Sequence, residues 1–384
     1  MRRLSASLKR AFALAGPQSG GMVYDLTSGA SIFSLRAGTK RPPASVEKLY
    51  TTVAVLKKFG TSAKLHTAVL GSGHSGGATW HGNLYLRGDG DPTFGDATFN
   101  RIWTHGEGST TAQLAGGVAR TGIRRVTGSL IGDGSRFDDS PGGPATHFAA
   151  DIPDFGGQLT ALSYDHGAAG AGLGPVAFAA RQMATALRAL RIMVIASPTP
   201  GKAPHGARTL ATVSSPPMRT IVRLMNVPSD DLYAELLTKQ LGARFAHRGT
   251  IGAGAHVISD VILRDFRLRP TILDGSGLDR GDRSSPREVT ALLRDVWNTG
   301  IGRVLEESLP LIGVNGTTRR IAASTPARGH CVGKTGTLNG VTNLAGYCHS
   351  RGHRLVAFSL FLIGPTNTTG IHLLGQMIKT IQRY

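Results

Sequence analysis

The sequence predicts an α/β (α+β) fold, in which an antiparallel sheet is covered by helices and interrupted by a large β-rich insert. Strand patterns lie at both ends of the chain, at residues 21–35 and 330–363, and helical patterns precede the second of them. Between 66 and 215 the pattern changes to short strands and glycine turns. We therefore expect a discontinuous domain of residues 1–65 and 216–384, with one or more inserted domains at 66–215.

The first elements follow from the spacing of apolar residues. One face of a short helix is indicated by Leu4, Leu8, Phe12 and Leu14. Residues 22–26 are typical of a strand, and residues 31–35 return antiparallel to it. Ser45 then begins a helix. Its expected buried stripe consists of Val46, Leu49, Val53 and Leu56.

The later elements are mostly helices, followed by a C-terminal hairpin. Helices are predicted at 177–190, 229–241, 256–266, 286–298 and 371–382. Asn339-Gly340 is a strong hairpin turn. It would place Cys331 opposite Cys348 with their Cα atoms about 4.5 Å apart. That separation allows a disulfide, which would favour an oxidising compartment, but two buried thiols on neighbouring strands fit the same pattern.

Composition excludes several classes of protein. No run of ~18 apolar residues is present, so we expect no membrane span. The formal net charge of +19 predicts attraction to polyanions such as nucleic acid, anionic lipid or the acidic polymers of a bacterial wall. Arginines spread evenly over the surface would give the same charge. The lack of a basic block and the few aromatic residues argue against a specific nucleic-acid partner.

The N-terminus begins with basic residues but lacks the apolar core of a secretory signal. If the protein works outside the membrane, we expect its signal to lie upstream of this chain or to have been removed.

Three short motifs occur in a fixed order along the chain. They are Ser45-Val46-Glu47-Lys48, Ser229-Asp230-Asp231 and Lys334-Thr335-Gly336-Thr337. In the first motif the serine and lysine lie three residues apart, and therefore on one face of the predicted helix. A serine hydroxyl needs a neighbouring base to become a nucleophile, and a lysine serves as that base once it is neutral. A helix start with a solvated lysine would give the same spacing.

The second and third motifs also have structural explanations. Ser229 precedes a clear helix, so it could equally be an N-cap with acidic residues that complement the helix dipole. Lys334 lies on the first strand of the hairpin and faces away from Cys331. Gly336 leaves room for a ligand to approach the backbone, although an ordinary edge strand would look alike. The joint occurrence of the three motifs favours a catalytic site over these separate explanations.

With these motifs the chain resembles the type-4 (class C, low-molecular-mass) penicillin-binding proteins, which are D-Ala-D-Ala carboxypeptidases and endopeptidases. The likeness covers nearly the whole chain and includes Gly88–Thr93, Asp274–Leu278 and Leu344–Tyr347. It implies a catalytic domain of the serine β-lactamase/transpeptidase type, with the insert between the first and second motifs.

The resemblance also implies catalytic roles. Ser45 would attack the carbonyl between the two D-alanines and form an acyl-enzyme, with Lys48 as general base. Ser229 would relay a proton to the departing D-alanine. Backbone N–H groups of Ser45 and Thr337 would form the oxyanion hole. No metal or cofactor is implied. The residues expected to bind substrate are Asp231, Lys334, Thr335, Gly336, Thr337 and Arg280.

One residue departs from the family pattern, which has asparagine where this chain has Asp231. An ionised aspartate only accepts hydrogen bonds, whereas asparagine also donates them. A carboxylate beside Lys48 or Lys334 would favour the charged ammonium forms. We therefore expect slower acylation near neutral pH and an optimum at higher pH.

The resemblance implies peptidoglycan stem peptides as substrate, β-lactam antibiotics as inhibitors, and an extracytoplasmic location in the periplasm or cell wall. Acidic wall polymers are further expected partners because of the net charge. Two alternatives stay open: a β-lactamase-like serine hydrolase, and a catalytically weakened wall-binding protein if Asp231 disables the site. The sequence does not distinguish carboxypeptidase from endopeptidase activity.

Overall fold

The structure, a computed structural model, describes residues 2–150, 156–170 and 172–384. Its contacts divide the chain into two compact units. The first comprises the residues through Thr61 together with Val222–Ala234 and Ala255–Tyr384. The second comprises Ser62–Ile221 and Glu235–Gly254.

Ten strands and eleven α-helices lie in the described part of the chain. The strands are β1 (Gly20–Asp25), β2 (Ala30–Leu35), β3 (His66–Gly76), β4 (Thr79–Arg87), β5 (Arg125–Asp133), β6 (Met193–Pro200), β7 (Arg208–Ser214), β8 (Cys331–Leu338), β9 (Val341–His349) and β10 (Leu355–Ile363). The helices are α1 (Arg2–Leu14), α2 (Lys48–Phe59), α3 (Ala97–Trp103), α4 (Thr111–Arg120), α5 (Pro175–Ala189), α6 (Met218–Asn226), α7 (Asp231–Phe245), α8 (Ile251–Phe266), α9 (Pro286–Trp297), α10 (Gly302–Ser308) and α11 (Asn367–Gln382).

The first unit contains a five-stranded sheet in the order β2-β1-β10-β9-β8. Every neighbouring pair in this sheet is antiparallel, which confirms the predicted sheet type. The hairpin turns at Asn339-Gly340, so Cys331 lies opposite Cys348 as expected, with 4.0 Å between their Cα atoms. The two sulfurs are joined in a disulfide. The disulfide therefore replaces the alternative of two free thiols.

Helices cover both faces of this sheet. On one face, apolar residues of α1 and α11 pack with those of the strands, and the rings of Phe12 and Phe33 stack at 5.7 Å. On the other face, α9 packs against the central strands, and the Tyr347 hydroxyl donates to the Leu293 carbonyl at 2.7 Å. The prediction for α1 was wrong at Leu14, which is 73% exposed because it follows Phe12 by two residues and therefore lies on the opposite side of the helix.

The second unit contains a mixed sheet in the order β6-β5-β4-β3-β7. Strand β3 is antiparallel to β4 and β7, whereas β4 with β5 and β5 with β6 are parallel. Helices α4 and α5 bury their apolar faces against this sheet. The core residues include Trp80, Leu84, Leu114, Val118, Val126, Met183 and Leu187.

The predicted helices are present, with ends shifted by a few residues. The helix expected to begin at Ser45 is preceded by a 3₁₀ turn at Ala44–Glu47, and its α-helical part begins at Lys48. Nearly every side chain of Val46–Leu56 is buried, rather than a single stripe. Within the described ranges, no helix combines the length and the apolar character that crossing a membrane requires.

The packing of α1 predicts a contrast between two residues of that helix. Phe12→Ala removes a fully buried ring, so we expect a loss of about 3–5 kcal/mol in the free energy of unfolding. Leu14→Ala on the same helix should change it by less than about 0.5 kcal/mol. Chemical denaturation of both variants measures this contrast. Equal losses would mean that α1 does not pack on the sheet through Phe12.

Candidate active site

The first motif lies on the turn that leads into α2. Ala44 adopts a left-handed backbone conformation with φ of +49°, and the 3₁₀ turn at Ala44–Glu47 presents the Ser45 side chain. Lys48 begins α2, and its Nζ atom lies 3.0 Å from Ser45 Oγ. The sequence prediction that this serine and lysine lie within reach of one another is therefore realised in the geometry.

Lys48 is fully buried and all its protons have acceptors. Its Nζ donates to Ser45 Oγ, to an Asp231 carboxylate oxygen, and to the Ser276 carbonyl at 2.8 Å. A buried ammonium is stable only when it is paired and hydrogen-bonded, and these three acceptors supply both conditions. Lys48 and Asp231 therefore form an ion pair directly beside the Ser45 hydroxyl.

The second motif places Ser229 at the site and not at the helix cap. The side chain of Asp230 accepts the Tyr233 N–H at 2.9 Å, so Asp230 caps α7. Ser229 has a left-handed backbone with φ of +67°, and its Oγ accepts from Lys334 Nζ at 2.6 Å. The N-cap explanation of Ser229 was therefore wrong, and its hydroxyl joins the second motif to the third.

Two buried lysines and one carboxylate set the electrostatics. Lys334 is fully buried, and its pKa lies well below the ordinary value because of burial and the charge of Lys48, although Asp231 acts in the opposite direction. The charge of Asp231 thus favours the charged form of Lys334, as expected, but burial and the charge of Lys48 have the larger effect on the pKa of Lys334. Burial raises the pKa of Asp231, and the charge of Lys48 opposes this rise.

Close packing against another part of the chain requires a glycine at position 336, which the sequence did not indicate. A Cβ atom at this position would lie 2.4 Å from the Pro43 carbonyl oxygen and 3.0 Å from the Val46 nitrogen. The space that a side chain at Gly336 would need is therefore occupied by the chain's own turn around Ser45. The glycine lets β8 lie directly against that turn.

Asn343 is a site residue that the motif analysis missed. It is buried in β9, and its Nδ2 donates to the carbonyls of Pro42 and Pro43 at 3.1 and 3.0 Å. Its Oδ1 accepts the Leu362 N–H at 3.2 Å. This side chain fastens the turn before Ser45 to the sheet. An asparagine inside an apolar strand was the available signal.

The three motifs meet at one cavity of about 250 Å³. Its lining consists of Ser45, Ser229, Asp231, Leu278, Thr317, Ile321, Thr335, Thr337, Thr342, Asn343, Ile371 and Leu374. Thr317 was given no role by the sequence, yet its Oγ1 lies 2.6 Å from Thr335 Oγ1. Arg280 instead donates to the Asn339 carbonyl at 2.7 Å and is not part of this lining.

Comparison with known proteins gives consistent results. A profile of the D-Ala-D-Ala carboxypeptidase 3 (S13) family matches residues 2–175 and 156–379. Carboxypeptidase DacB of Mycolicibacterium smegmatis is 29% identical over 96% of this chain and 83% of its own length.

Among solved structures, penicillin binding protein 4 (dacB) from Haemophilus influenzae aligns with a TM-score of 0.82 at 19% identity, covering 98% of this chain and 99% of that one. Bd3459, a predatory peptidoglycan endopeptidase from Bdellovibrio bacteriovorus, aligns with a TM-score of 0.59 at 15% identity, covering 89% of this chain and 85% of that one. These two structural matches establish a shared fold, and the predicted fold class is confirmed.

The role of Asn343 is tested by its removal. Asn343→Leu leaves the Pro42 carbonyl without its donor and the Pro43 carbonyl with only the Val46 N–H at 3.3 Å, which should cost about 1–3 kcal/mol of unfolding free energy. It should also slow acylation, because the turn before Ser45 loses its fastening. Ser359→Ala on β10 is the matched control, since no hydrogen bond to that buried hydroxyl is seen in the described structure. Equal effects of the two changes in denaturation and acylation assays would contradict the role.

Proposed function

Because this chain belongs to the D-Ala-D-Ala carboxypeptidase 3 (S13) family, we propose that it is a serine D-Ala-D-Ala carboxypeptidase that acts through an acyl-enzyme on Ser45. The observation that carries the proposal is the convergence of Ser45, Lys48, Ser229 and Lys334 within one small site. The family and the geometry thus support the same reaction.

In the first step, Ser45 Oγ attacks the carbonyl carbon of the penultimate D-alanine while Lys48 Nζ takes the hydroxyl proton. Lys48 Nζ has three hydrogen-bond acceptors at rest, so one proton must first leave it to water before it can act as the base. The tetrahedral oxyanion is stabilised by backbone N–H groups of Ser45 and Thr337. Removal of one such donor typically costs about 10²–10³ in rate.

In the second step, the bond to the terminal D-alanine breaks and its amine takes a proton through Ser229. Lys334 lies 2.6 Å from Ser229 Oγ and is its donor, which makes a proton path from Lys334 to the leaving group. Water then hydrolyses the ester and releases the shortened peptide. The balance closes because one water proton passes to Lys334, while Lys48 returns its proton to Ser45 Oγ as the ester bond breaks. The other water hydrogen leaves with the carboxylic acid of the shortened peptide.

The terminal carboxylate of the substrate defines carboxypeptidase specificity. We assign it to the hydroxyls of Thr335 and Thr337 beside Lys334, with Thr317 next to Thr335. The ammonium form of Lys334 attracts this carboxylate, and a carboxylate bound there would in turn stabilise the ammonium form. The contribution of Arg280 through the hairpin turn stays a proposal.

Endopeptidase activity on cross-links is a second candidate. The structural relative Bd3459 is a peptidoglycan endopeptidase with the same fold. Cross-links present a longer leaving group than free D-alanine, so the two activities differ only in what leaves Ser45. Parallel assays of D-alanine release from a stem pentapeptide and of cleavage of a cross-linked dimer distinguish them.

The remaining expectations follow from this chemistry. β-Lactams acylate such a serine because their strained amide presents the same carbonyl, so we propose them as inhibitors.

We also propose that residues 1–65 and 216–384 form the catalytic domain, with the insert at 66–215, and that the protein works outside the cytoplasm. Its net charge of +19 would attract it to acidic wall polymers.

The nucleophile is tested with penicillin. Wild-type protein should gain the mass of one penicillin in intact mass spectrometry, and Ser45→Ala should gain none. Lack of an adduct together with lack of penicillin turnover in the wild type would favour a wall-binding protein. Rapid turnover without a stable adduct would favour a β-lactamase-like hydrolase.

The departure at Asp231 predicts a shifted pH profile. Its carboxylate accepts a hydrogen bond from Lys48, and its charge raises the pKa of Lys334 against the opposing effects of burial and of the Lys48 charge. Asp231→Asn should move the acid limb of kcat/KM for acylation down by about 1–3 pH units and speed the reaction near neutral pH. Asp230→Asn, which keeps a good helix cap, is the matched control and should leave the limb in place. Profiles of wild type and Asp231→Asn that coincide would refute the explanation.

A further inference from the structure

Two buried carboxyl groups lie behind the loop that faces Lys48. Asp274 begins this loop, Asp274–Leu278, and Asp282 follows it; they are 1% and 0% exposed. Neither side chain lines the substrate cavity or takes part in the reaction described above. Charged carboxylates are rarely buried without a partner, so this pair needs a physical explanation.

Asp274 organises the loop through its two oxygens. Its Oδ1 accepts the N–H groups of Ser276 and Gly277 at 3.1 and 2.6 Å, and its Oδ2 accepts that of Asp279 at 2.9 Å. These contacts suit an ionised carboxylate, which accepts hydrogen bonds at both oxygens. They fix the turn that carries the Ser276 carbonyl.

The same loop contacts the nucleophile region on two sides. The Ser276 carbonyl accepts from Lys48 Nζ at 2.8 Å, and the Gly275 carbonyl accepts from Thr51 Oγ1 at 2.8 Å. Gly277 has φ of +81°, and a Cβ there would lie 2.0 Å from the Ala44 carbonyl oxygen. A shift of this loop would therefore move the acceptor of Lys48 and the turn that precedes Ser45.

Asp282 is placed to hold a proton. Its Oδ1 accepts the Leu273 N–H at 2.7 Å, whereas its buried Oδ2 receives no N–H or O–H from any described residue. The side chains of Asp282 and Asp274 lie in hydrogen-bonding contact with each other. If both groups were ionised, two like charges would meet without a donor between them. If Asp282 Oδ2 carries a proton and donates it to the Asp274 carboxylate, the oxygens on both sides of the contact have a hydrogen-bond partner.

The surrounding charges favour that proton on Asp282. Burial, the charge of Asp274 and the charge of the buried Glu47 raise the pKa of Asp282 to about 11. Asp274 is also raised by burial, but the N–H groups of Gly277 and Asp279 and the charge of Lys48 act in the opposite direction on its pKa. The anion therefore belongs on Asp274 and the neutral acid on Asp282.

We propose that Asp282 is a protonated positioning residue, whose shared proton locks the Asp274–Leu278 loop so that the Ser276 carbonyl holds Lys48 toward Ser45. The role in catalysis rests on the proposed function, whereas the shared proton does not. This arrangement needs no further reactant, because Asp282 keeps the proton and donates it in a hydrogen bond to Asp274.

The shared proton is tested by stability against pH. In the folded wild type Asp282 holds a proton, whereas in the unfolded chain it loses that proton above its ordinary pKa near 4. Folding therefore becomes less favourable as the pH rises from that value toward the pKa of the folded state. The folding equilibrium constant falls by up to about tenfold per pH unit in this range. Asp282→Asn can donate from Nδ2 to Asp274 and still accept from Leu273 without binding a proton. We expect this variant to be more stable than wild type, with a gap in unfolding temperature that widens from pH 5 to pH 9.

Asp279→Asn, directly after the loop, is the matched control, because the Asp279 carboxylate accepts the Gly281 N–H instead. Its stability curve should run parallel to that of wild type over the same pH range. An Asp282→Asn variant that is less stable than wild type, or a gap that does not widen with pH, would show that Asp282 is ionised and would overturn the proposal.

The positioning role is tested by acylation with penicillin. Asp282→Ala removes only the donor that Asp282 supplies to Asp274 and should slow acylation by up to about 10²-fold, the cost of a small misplacement. Asp282→Asn should restore the wild-type rate, which a general loss of folding would not explain. Wild-type acylation by Asp282→Ala would overturn the positioning role. If wild type itself takes no penicillin, the proposed function fails, and the stability gap alone decides the shared proton.

Discussion

The site depends on one buried cation, the Lys48 ammonium. Water cannot solvate it, so the protein supplies an acceptor for each of its protons. These acceptors come from three parts of the chain: the turn of Ser45, the start of the helix at Asp231, and the loop at Ser276. Each segment must be correctly folded before the charge is satisfied. The requirement to solvate one lysine therefore assembles the nucleophile, the second motif and the supporting loop at a single place.

A second buried lysine adds a like charge to the site. Lys334 is buried near Lys48, and its pKa is lowered by burial and by that like charge. Asp231 is the carboxylate that acts on both lysines, so its charge affects the proposed base and the proposed site of the substrate carboxylate together. The asparagine of the family pattern would leave the same pair of lysines without an anion. The pH dependence of this enzyme is therefore expected to differ from that of relatives with asparagine.

The sequence predicts the interactions of this site whose residues lie close together along the chain, and it does not predict those between distant segments. Ser45 with Lys48 is a local spacing on one helix turn, and the Asn339-Gly340 hairpin is a local turn, so both followed from the residues. Asn343 acts through the carbonyls of a segment 300 residues away, and Gly336 is required by the same distant turn. Such contacts exist only in the folded chain. The pairing of Asp274 with Asp282 likewise appears only when burial is known.

The central claim is that Lys48 is the base that activates Ser45, and its most direct test is the rate of acylation in Lys48→Met. Methionine fills a similar apolar volume but can take no proton. Stopped-flow measurement of penicillin acylation should show a loss of about 10²–10⁴-fold, the usual contribution of a general base, while the variant remains folded. A Lys48→Met variant that acylates within about tenfold of wild type would show that another group activates the serine and would contradict the account.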